Sequence, residues 1–484
     1  MATRRRGTRA RRRLRLVFAS AELAPLAQTG GLGDAVAGLA GALAARGHQV
    51  VCLLPAHRGA ASHPAVREPT EAGAAAVDLP DGPLRGRWLG GRLGALDLQL
   101  LELGGLYDRE SLYGGADEAL RFAAFSRACA ARAGELLPDV LVAHDWHAAL
   151  GLCALRTLHD VGSRRAIGAV QVVHNGAHQG SFPAEAMRAT GLPGELFVPD
   201  GLEFHGRLSL LKGGLVWADR IAAVSPSYAE ELKTPEFGAG LDGLYRFRAH
   251  RLTGITNGID AERYDPASDP ELPARYDAAS PHGRAACRKA LLEELGLDAP
   301  EPGRLLGCLG RLALQKGWDV LADAVPALVE RGAVLVLVGD GEPALAERLR
   351  SLARHWPRRV ALRLGWSDAL ARRLYAGVDG LLVPSRFEPC GLVQLLAQHY
   401  GALPIAHGVG GLLDTILDGE TGVLFGPLSV EALVGGAERA AELYRDRGGE
   451  LTRALLGLDV SWRAPAERWE SLLLEVAAEA SARL

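Results

Sequence analysis

Arg304-Leu305-Leu306-Gly307-Cys308-Leu309, followed without a break by Gly310-Arg311-Leu312-Ala313-Leu314-Gln315-Lys316-Gly317, decides the fold class of this 484-residue chain. A short apolar run ends in glycine and charge, then gives way to an Ala/Leu-rich stretch. That is the pattern of a buried parallel strand and its crossover helix. It recurs downstream, predicting strands at Ala333–Val338, Val360–Leu364, Gly380–Val383, Leu403–Ala406 and Gly422–Phe425. Upstream it predicts Leu14–Ala19, Gln49–Leu54, Leu96–Leu103, Val140–Ala143, Ala169–Val173 and Arg220–Val224. Strands alternating with helices in this way build doubly wound parallel sheets, so an α/β chain with two such domains is expected. Ligands of these sheets lie outside the carboxyl ends of the strands, which predicts a ligand cleft between the two domains.

The stretch from Asp260 to Pro302 is rich in Pro, Asp and Ala and reads as a connection. The expected plan is a basic disordered tail over 1–13, a first domain over 14–260 and a linker over 261–302. A second domain follows over 303–460, then a C-terminal helix over 461–484 that packs back on the first domain.

Composition narrows the class. With 48% apolar and 23% charged residues the chain is globular in character. No run of eighteen apolar residues predicts a membrane-spanning helix. Eight arginines fall between Arg4 and Arg15, and removing them from a net charge of −3 leaves −11. The body is acidic, so neither a nucleic-acid nor a membrane partner is expected for it. The arginine-rich tail lacks the apolar segment of a secretory signal and reads as a solvated extension in preference to a nucleic-acid arm. Six scattered cysteines without CxxC spacing read as buried, reduced thiols, so the expected compartment is the cytoplasm. No helical HExxH or HxxxH, nucleophile elbow or Walker A loop is present, which argues against a metal centre, an α/β-hydrolase or a P-loop enzyme.

Two glycine loops echo one another. Thr29-Gly30-Gly31-Leu32-Gly33-Asp34 and Val409-Gly410-Gly411-Leu412-Leu413-Asp414 each follow a predicted strand and open a predicted helix. Backbone amides at such a helix start attract anions, so two of them point to a sugar phosphate or nucleotide. Gly–Gly turns are also plain structural punctuation. Arg311 and Lys316 share one strand-end loop and together suit a leaving diphosphate, unless they are two solvated surface cations. Lys316 is one of four lysines in the chain. Glu388, between Phe387 and Pro389, suits sugar hydroxyls; the plainer alternative is a carboxylate at a helix N-terminus. His144-Asp145-Trp146-His147 and His174-Asn175-Gly176-Ala177-His178 end two further strands and suit hydrogen bonding or proton transfer.

Taken in order, these motifs resemble the bacterial glycogen synthase and plant starch synthase family, from about Leu14 onward. Those carrying the resemblance are the first glycine loop, His144–His147, His174-Asn175, Gly201–Phe204 with Leu211-Lys212, Ala223–Tyr228 and Asn257–Asp260. Gly310-Arg311 with Gln315–Gly317, Glu388-Pro389-Cys390-Gly391-Leu392 and Gly410–Thr415 complete the set. The resemblance implies two Rossmann-like domains in the GT-B arrangement. It implies transfer of glucose from ADP-glucose to the non-reducing end of an α-1,4-glucan such as glycogen, with retention and without a further cofactor. His174, Arg311, Lys316 and Glu388 match the family's catalytic positions. Gln28, Gly30, Gly31, Asp145, Asn175, Asn257, Cys390, Gly391, Gly410 and Gly411 match substrate-binding ones. The chain departs from the family at Gln28 (usually Lys), Gly176, His178, Trp366 and Val409. Two other readings stay open: a catalytically weakened relative that binds glucan or nucleotide as a regulator, and a synthase using another donor such as UDP-glucose.

Overall fold

The computed structural model describes residues 12–158 and 166–483. All but the last two residues of the expected basic tail lie outside that range. Two compact units form. The first comprises the described residues up to Ala222, Gly238–Thr253 and those from Arg463; the second comprises Ala223–Phe237 and Gly254–Trp462.

In the first unit the strands are β1 (Arg15–Ala19), β2 (Gln49–Pro55), β3 (Val66–Val77), β4 (Leu84–Leu93), β5 (Leu96–Leu103), β6 (Val140–His144) and β7 (Gly168–Val173). A small antiparallel sheet of β8 (Ser181–Pro183), β9 (Glu203–Phe204) and β10 (Arg207–Ser209) follows, then β11 (Arg220–Ala223) and β12 (Leu252–Gly254). The large sheet runs β12-β11-β7-β6-β1-β2-β5-β4-β3. Its wall is apolar because β1, β2, β6 and β7 are buried on both faces, as parallel strands under crossover helices must be. The second unit holds β13 (Leu305–Leu312), β14 (Val334–Gly341), β15 (Val360–Leu364), β16 (Gly380–Val383), β17 (Leu403–His407) and β18 (Val423–Phe425), ordered β15-β14-β13-β16-β17-β18. Val334, Val336 and Val338 enter one core with Leu291 and Leu374, while Leu335 and Leu337 enter the other with Leu321 and Leu349. That alternation is the two-residue period of a strand covered on both sides.

Both sheets share one winding. The second sheet, numbered within its unit, runs 3-2-1-4-5-6. In the first, β5-β2-β1-β6-β7-β11 repeats that order, with the antiparallel pair β4–β3 added beyond β5 and β12 beyond β11. In both series the order reverses between the first and fourth strands. In the first unit that switch lies between β1 and β6, in the second between β13 and β16. Segments leaving the carboxyl ends of these four strands are where a doubly wound sheet offers a ligand crevice.

Three expectations need correction. The stretch 261–302 is not a linker: helix Gly283–Leu295 buries Cys287, Leu291, Leu292 and Leu295 in the second unit's core. Its apolar face was masked by the Pro- and Asp-rich residues on either side. β3 and β4 also escaped the pattern. They form an antiparallel pair at the sheet edge. β3 is mostly exposed and poor in large apolar residues, with Pro69 tolerated because that strand is at the edge, while β4 is half-buried and glycine-rich around the buried Trp88. Finally, Arg311 is not in a loop. Leu312 is buried in the core, which carries β13 two residues past Gly310 and pairs Arg311 with Asp340.

Candidate active site

In the second unit, the segments after β13 and β16 are stitched together by backbone. Gly317 has φ +69°, and a Cβ there would lie 1.8 Å from the Pro384 carbonyl oxygen. Only glycine lets the two segments approach so closely. Arg386 N–H donates to Gln315 O at 2.8 Å, and its guanidinium forms a two-pronged pair with Asp319 at 2.7 Å for both contacts. The consequence is an ion pair at the switch point. Lys316 Nζ lies 2.7 Å from Glu388 Oε2, and Ser385 Oγ donates to the same oxygen at 2.9 Å. The Glu388 side chain is 8% exposed and that of Lys316 27%. Helix Val393–His399 begins well after Glu388, which removes the helix-terminus alternative for this carboxylate.

Arg311 behaves differently. Its side chain is exposed and has no ion pair among the described residues, while its carbonyl accepts from the buried Trp318 indole at 2.8 Å. The two cations proposed as a clamp are therefore one paired and one free. Asn257 N–H donates to Cys390 Sγ at 3.4 Å, and burial pushes the Cys390 thiol up to about 12. Cys390 is thus a neutral, weak acceptor, unsuited to nucleophilic work. Gly391 follows with φ +76° and opens the turn into the helix. Trp366 follows β15 at the same end of the sheet and is 64% exposed.

The second glycine loop does not offer its amides to an anion. Gly410 N–H donates to Glu231 Oε1 at 2.7 Å and Gly411 N–H to Glu388 O at 2.9 Å. The helix they open, Gly411–Thr415, is five residues long. Both amides are spent inside the protein, which corrects the expectation of an anion cradle there.

In the first unit the glycine loop is open. Helix Gly31–Ala45 spans fifteen residues and has no side-chain cap at Gly30. Its first-turn amides carry the partial positive charge of an uncapped helix start. Glu22, three residues past β1 and buried, holds this loop by accepting Thr29 N–H and Thr29 Oγ1–H, each at 2.8 Å, and the Tyr113 hydroxyl. Gln28 is exposed; its amide donates to Gly30 O at 3.1 Å and to the Asp34 carboxylate.

Asp145 follows β6 directly and takes φ +54°, a left-handed conformation that Asp tolerates better than most residues. This turns its carboxylate onto the end of β7, where Oδ1 accepts His174 N–H at 2.7 Å and Asn175 N–H at 3.3 Å. Burial raises Asp145 to about 7, against the two amides and with Glu22 adding to the rise. Asn175 caps its own turn by accepting Ala177 N–H at 3.1 Å. His174 Nε2 lies 2.9 Å from His144 Nδ1. Burial holds His174 at about 3 and pushes His144 well down, so the pair is neutral at neutral pH. His144 Nε2 is buried with no hydrogen-bond partner among the described residues. A buried N–H without an acceptor is costly, which assigns the shared proton to His144 Nδ1 and leaves His174 protonated on its own Nδ1. His147 does not join them. It is buried, stacked on Tyr113 at 4.8 Å between Phe122 and Trp146, and serves as core. His178 is exposed.

The starch synthase catalytic domain family matches residues 15–247, and the glycosyl transferases group 1 family matches residues 303–444. The glycogen synthase of Myxococcus xanthus (strain DK1622) is 40% identical over 482 residues, covering 96% of this chain and all of that protein. The glycogen synthase of Methylocella silvestris is 42% identical over 484 residues, 95% and 98% of the two chains. This chain belongs to the glycogen and starch synthase family. The catalytic domain of starch synthase IV from Arabidopsis thaliana, solved with ADP and acarbose, superposes with a TM-score of 0.90 at 30% identity over 96% of this chain and 100% of that one. A sucrose-phosphate synthase from Thermosynechococcus elongatus shares the fold at TM-score 0.62 and 20% identity. As a member of this family the chain is a glycosyltransferase with two Rossmann-like domains of the GT-B type. Sequence reading had not singled out Glu22, Tyr113, Ser385 or Glu231. Ser385 and Glu22 follow predicted strands at the switch points, which is the one signal that would have found them.

Proposed function

We propose that the chain transfers glucose from ADP-glucose to the non-reducing end of an α-1,4-glucan, retaining the anomeric configuration. The Lys316–Glu388 pair at the switch point of the second sheet carries this reading, together with full-length similarity to glycogen synthases. A glucosyl centre that becomes oxocarbenium-like while a diphosphate departs needs fixed charges of both signs. Lys316 supplies the cation, held by Glu388 and so already oriented before substrate arrives. Arg311, exposed and without an ion-pair partner among the described residues, adds a second cation as the diphosphate gains charge.

Glu388 works in this reading as an orienting group. Lys316 and Ser385 both engage Oε2, which lowers the nucleophilicity of the carboxylate and fixes its plane. A fixed ionised carboxylate of this kind accepts sugar hydroxyls well. Same-face attack assisted by the departing diphosphate fits better than a covalent glucosyl-Glu388 intermediate. Neutral His174 serves as a hydrogen-bonding partner to the sugar and not as a cation. No cofactor beyond the donor enters the scheme. The six cysteines, all free and buried, fit a reducing compartment, and cytoplasmic residence is proposed on that ground. Among the described residues no helix is long and apolar enough to cross a membrane.

Incorporation of labelled glucose into glycogen from ADP-glucose and from UDP-glucose, side by side, tests the proposal. Transfer from ADP-glucose is expected to dominate. Transfer from UDP-glucose alone would reassign the donor, and none from either would reassign the chain to glucan or nucleotide binding.

A further inference from the structure

The segment Ala223–Phe237 belongs to the second unit, although the residues on both sides of it belong to the first. It reaches the loops around Glu388 at three points. Ser225 Oγ donates to Pro389 O at 2.6 Å while also capping helix Pro226–Glu231. Ser227 donates from its amide and its hydroxyl to the two oxygens of Asp414, at 2.8 and 2.9 Å. Glu231 Oε1 accepts Gly410 N–H at 2.7 Å, and the next amide, that of Gly411, donates to Glu388 O at 2.9 Å.

Glu231 is placed at some cost. Its second oxygen is buried with no hydrogen-bond partner among the described residues. Burial raises its pKa, with Asp414 and Glu236 adding to the rise and the Gly410 amide opposing it. A glutamate near the end of a short surface helix would ordinarily turn to water. Gly410 is wedged beside it: a Cβ there would lie 2.2 Å from Glu388 O and 3.2 Å from Glu231 Oε2. The loop between the two carboxyl-bearing residues has little room to move independently of either.

We propose that Glu231 is a positioning residue for glycosyl transfer, fixing the Glu388 backbone through the Gly410 and Gly411 amides and so holding the Lys316–Glu388 pair in register. The proposal rests on the functional reading above. It is tested by glucose transfer from ADP-glucose to glycogen, with ADP affinity measured by calorimetry, in Glu231→Ala, Glu231→Gln, Glu388→Ala and the Glu231→Ala/Glu388→Ala double variant. Glu231→Ala is expected to lower kcat about tenfold or more while ADP affinity stays within about threefold, as for loss of orientation with binding retained. Glu231→Gln keeps an acceptor for Gly410 and should recover most of the rate. In the Glu388→Ala background the Glu231→Ala change should cost nothing further, because both act through one group. Glu231→Asp, which keeps the charge but falls short of Gly410, decides the matter should the alanine variant fail to fold, and is expected to lose kcat in the same way. Wild-type kcat in Glu231→Ala or Glu231→Asp, equal losses in the alanine and glutamine variants, or additive losses in the double variant would overturn the proposal alone. A wild-type chain that transfers glucose from neither donor would overturn the functional reading and this proposal with it.

Discussion

The two glycine loops, Thr29–Asp34 in the first unit and Val409–Asp414 in the second, share a pattern of residues and differ in what their amides do. In the first, Gly30 precedes a fifteen-residue helix with no side-chain cap, and the loop is held from behind by Glu22 through Thr29. In the second, Gly410 and Gly411 donate to Glu231 and to Glu388 O, and the helix is five residues long. The first loop keeps a helix start available for an anion; the second uses its glycines as mortar between a brace and a catalytic candidate. Charge divides in a parallel way. The second unit presents a fixed ion pair and, in Arg311, an arginine with no ion pair among the described residues, while the first presents neutral imidazoles beside a carboxyl group poised near neutrality.

Four experiments break or sharpen this contrast. The largest effect belongs to Lys316→Ala. Loss of a preorganised charge partner costs roughly 2–4 kcal/mol of transition-state stabilisation, and it should appear mainly in kcat. Kinetics of glucose transfer at saturating donor check this, and a rate near wild type would remove Lys316 from the reaction.

The glycines come next. A Cβ on Gly411 would sit 2.4 Å from Cys390 Cα, a backbone atom, whereas one on Gly30 meets nothing within 4 Å. Gly411→Ala is therefore expected to destabilise the fold by about 1–3 kcal/mol, as overpacking does. Gly30→Ala should leave urea unfolding within about 0.5 kcal/mol of wild type. Any loss of activity in Gly30→Ala then reports on ligand approach to the open loop, and equal unfolding midpoints for the two variants would erase the distinction.

Acid stability follows. His57 and His174 are held by burial at about 4 and about 3, below the ordinary 6.5, so the unfolded chain binds more protons as pH falls beneath that value. Each removes up to about 1.4 kcal/mol of stability per pH unit in that window. Asp145 acts in the opposite sense. Raised from 3.8 to about 7, it contributes stability that is fully present below pH 3.8 and is lost as pH rises through about 7. His144, His147 and His399 are also held below their ordinary value and Glu231 is raised. Five depressed histidines outweigh two raised carboxyls, so urea midpoints should fall between pH 6.5 and pH 4.5. Asp145→Asn should make that fall steeper, and a flat profile would refute the neutral-imidazole assignment.

The smallest effect is expected at Gln28. A lysine there would add charge beside the open loop, but Asp34 already partners the Gln28 amide and would partly neutralise it. The gain in kcat/KM for ADP-glucose should be on the order of 1 kcal/mol, about fivefold. A decrease would mean that the loop is built around glutamine.

The strands of both switch points were legible because buried parallel strands announce themselves as apolar runs ending in glycine or charge. Lys316 and Glu388 were legible for the same reason, since each follows such a run closely. Long-range partners were not. Tyr113 meets Glu22 from 91 residues away and Glu231 meets Gly410 from 179, and no local pattern records either pairing. Helix Gly283–Leu295 was hidden by composition, since proline and aspartate around it imitate a connection. The glycine echo misled for a physical reason: two glycines permit close approach but do not specify whether a ligand or the protein makes it.

Helix Arg463–Ser481 closes the first unit, where Glu470 accepts from Arg46 at 2.6 Å and His48 Nε2 lies 3.1 Å from its other oxygen, with Trp469 and Val476 in the core. The second unit is complete once Trp462 has been synthesised. The first unit began its sheet at Arg15, yet it must wait for residues made after every part of the second. On the ribosome the order of completion is thus the reverse of the order of synthesis. Until helix Arg463–Ser481 has been made, β6 and β7 lack the cover that it gives them.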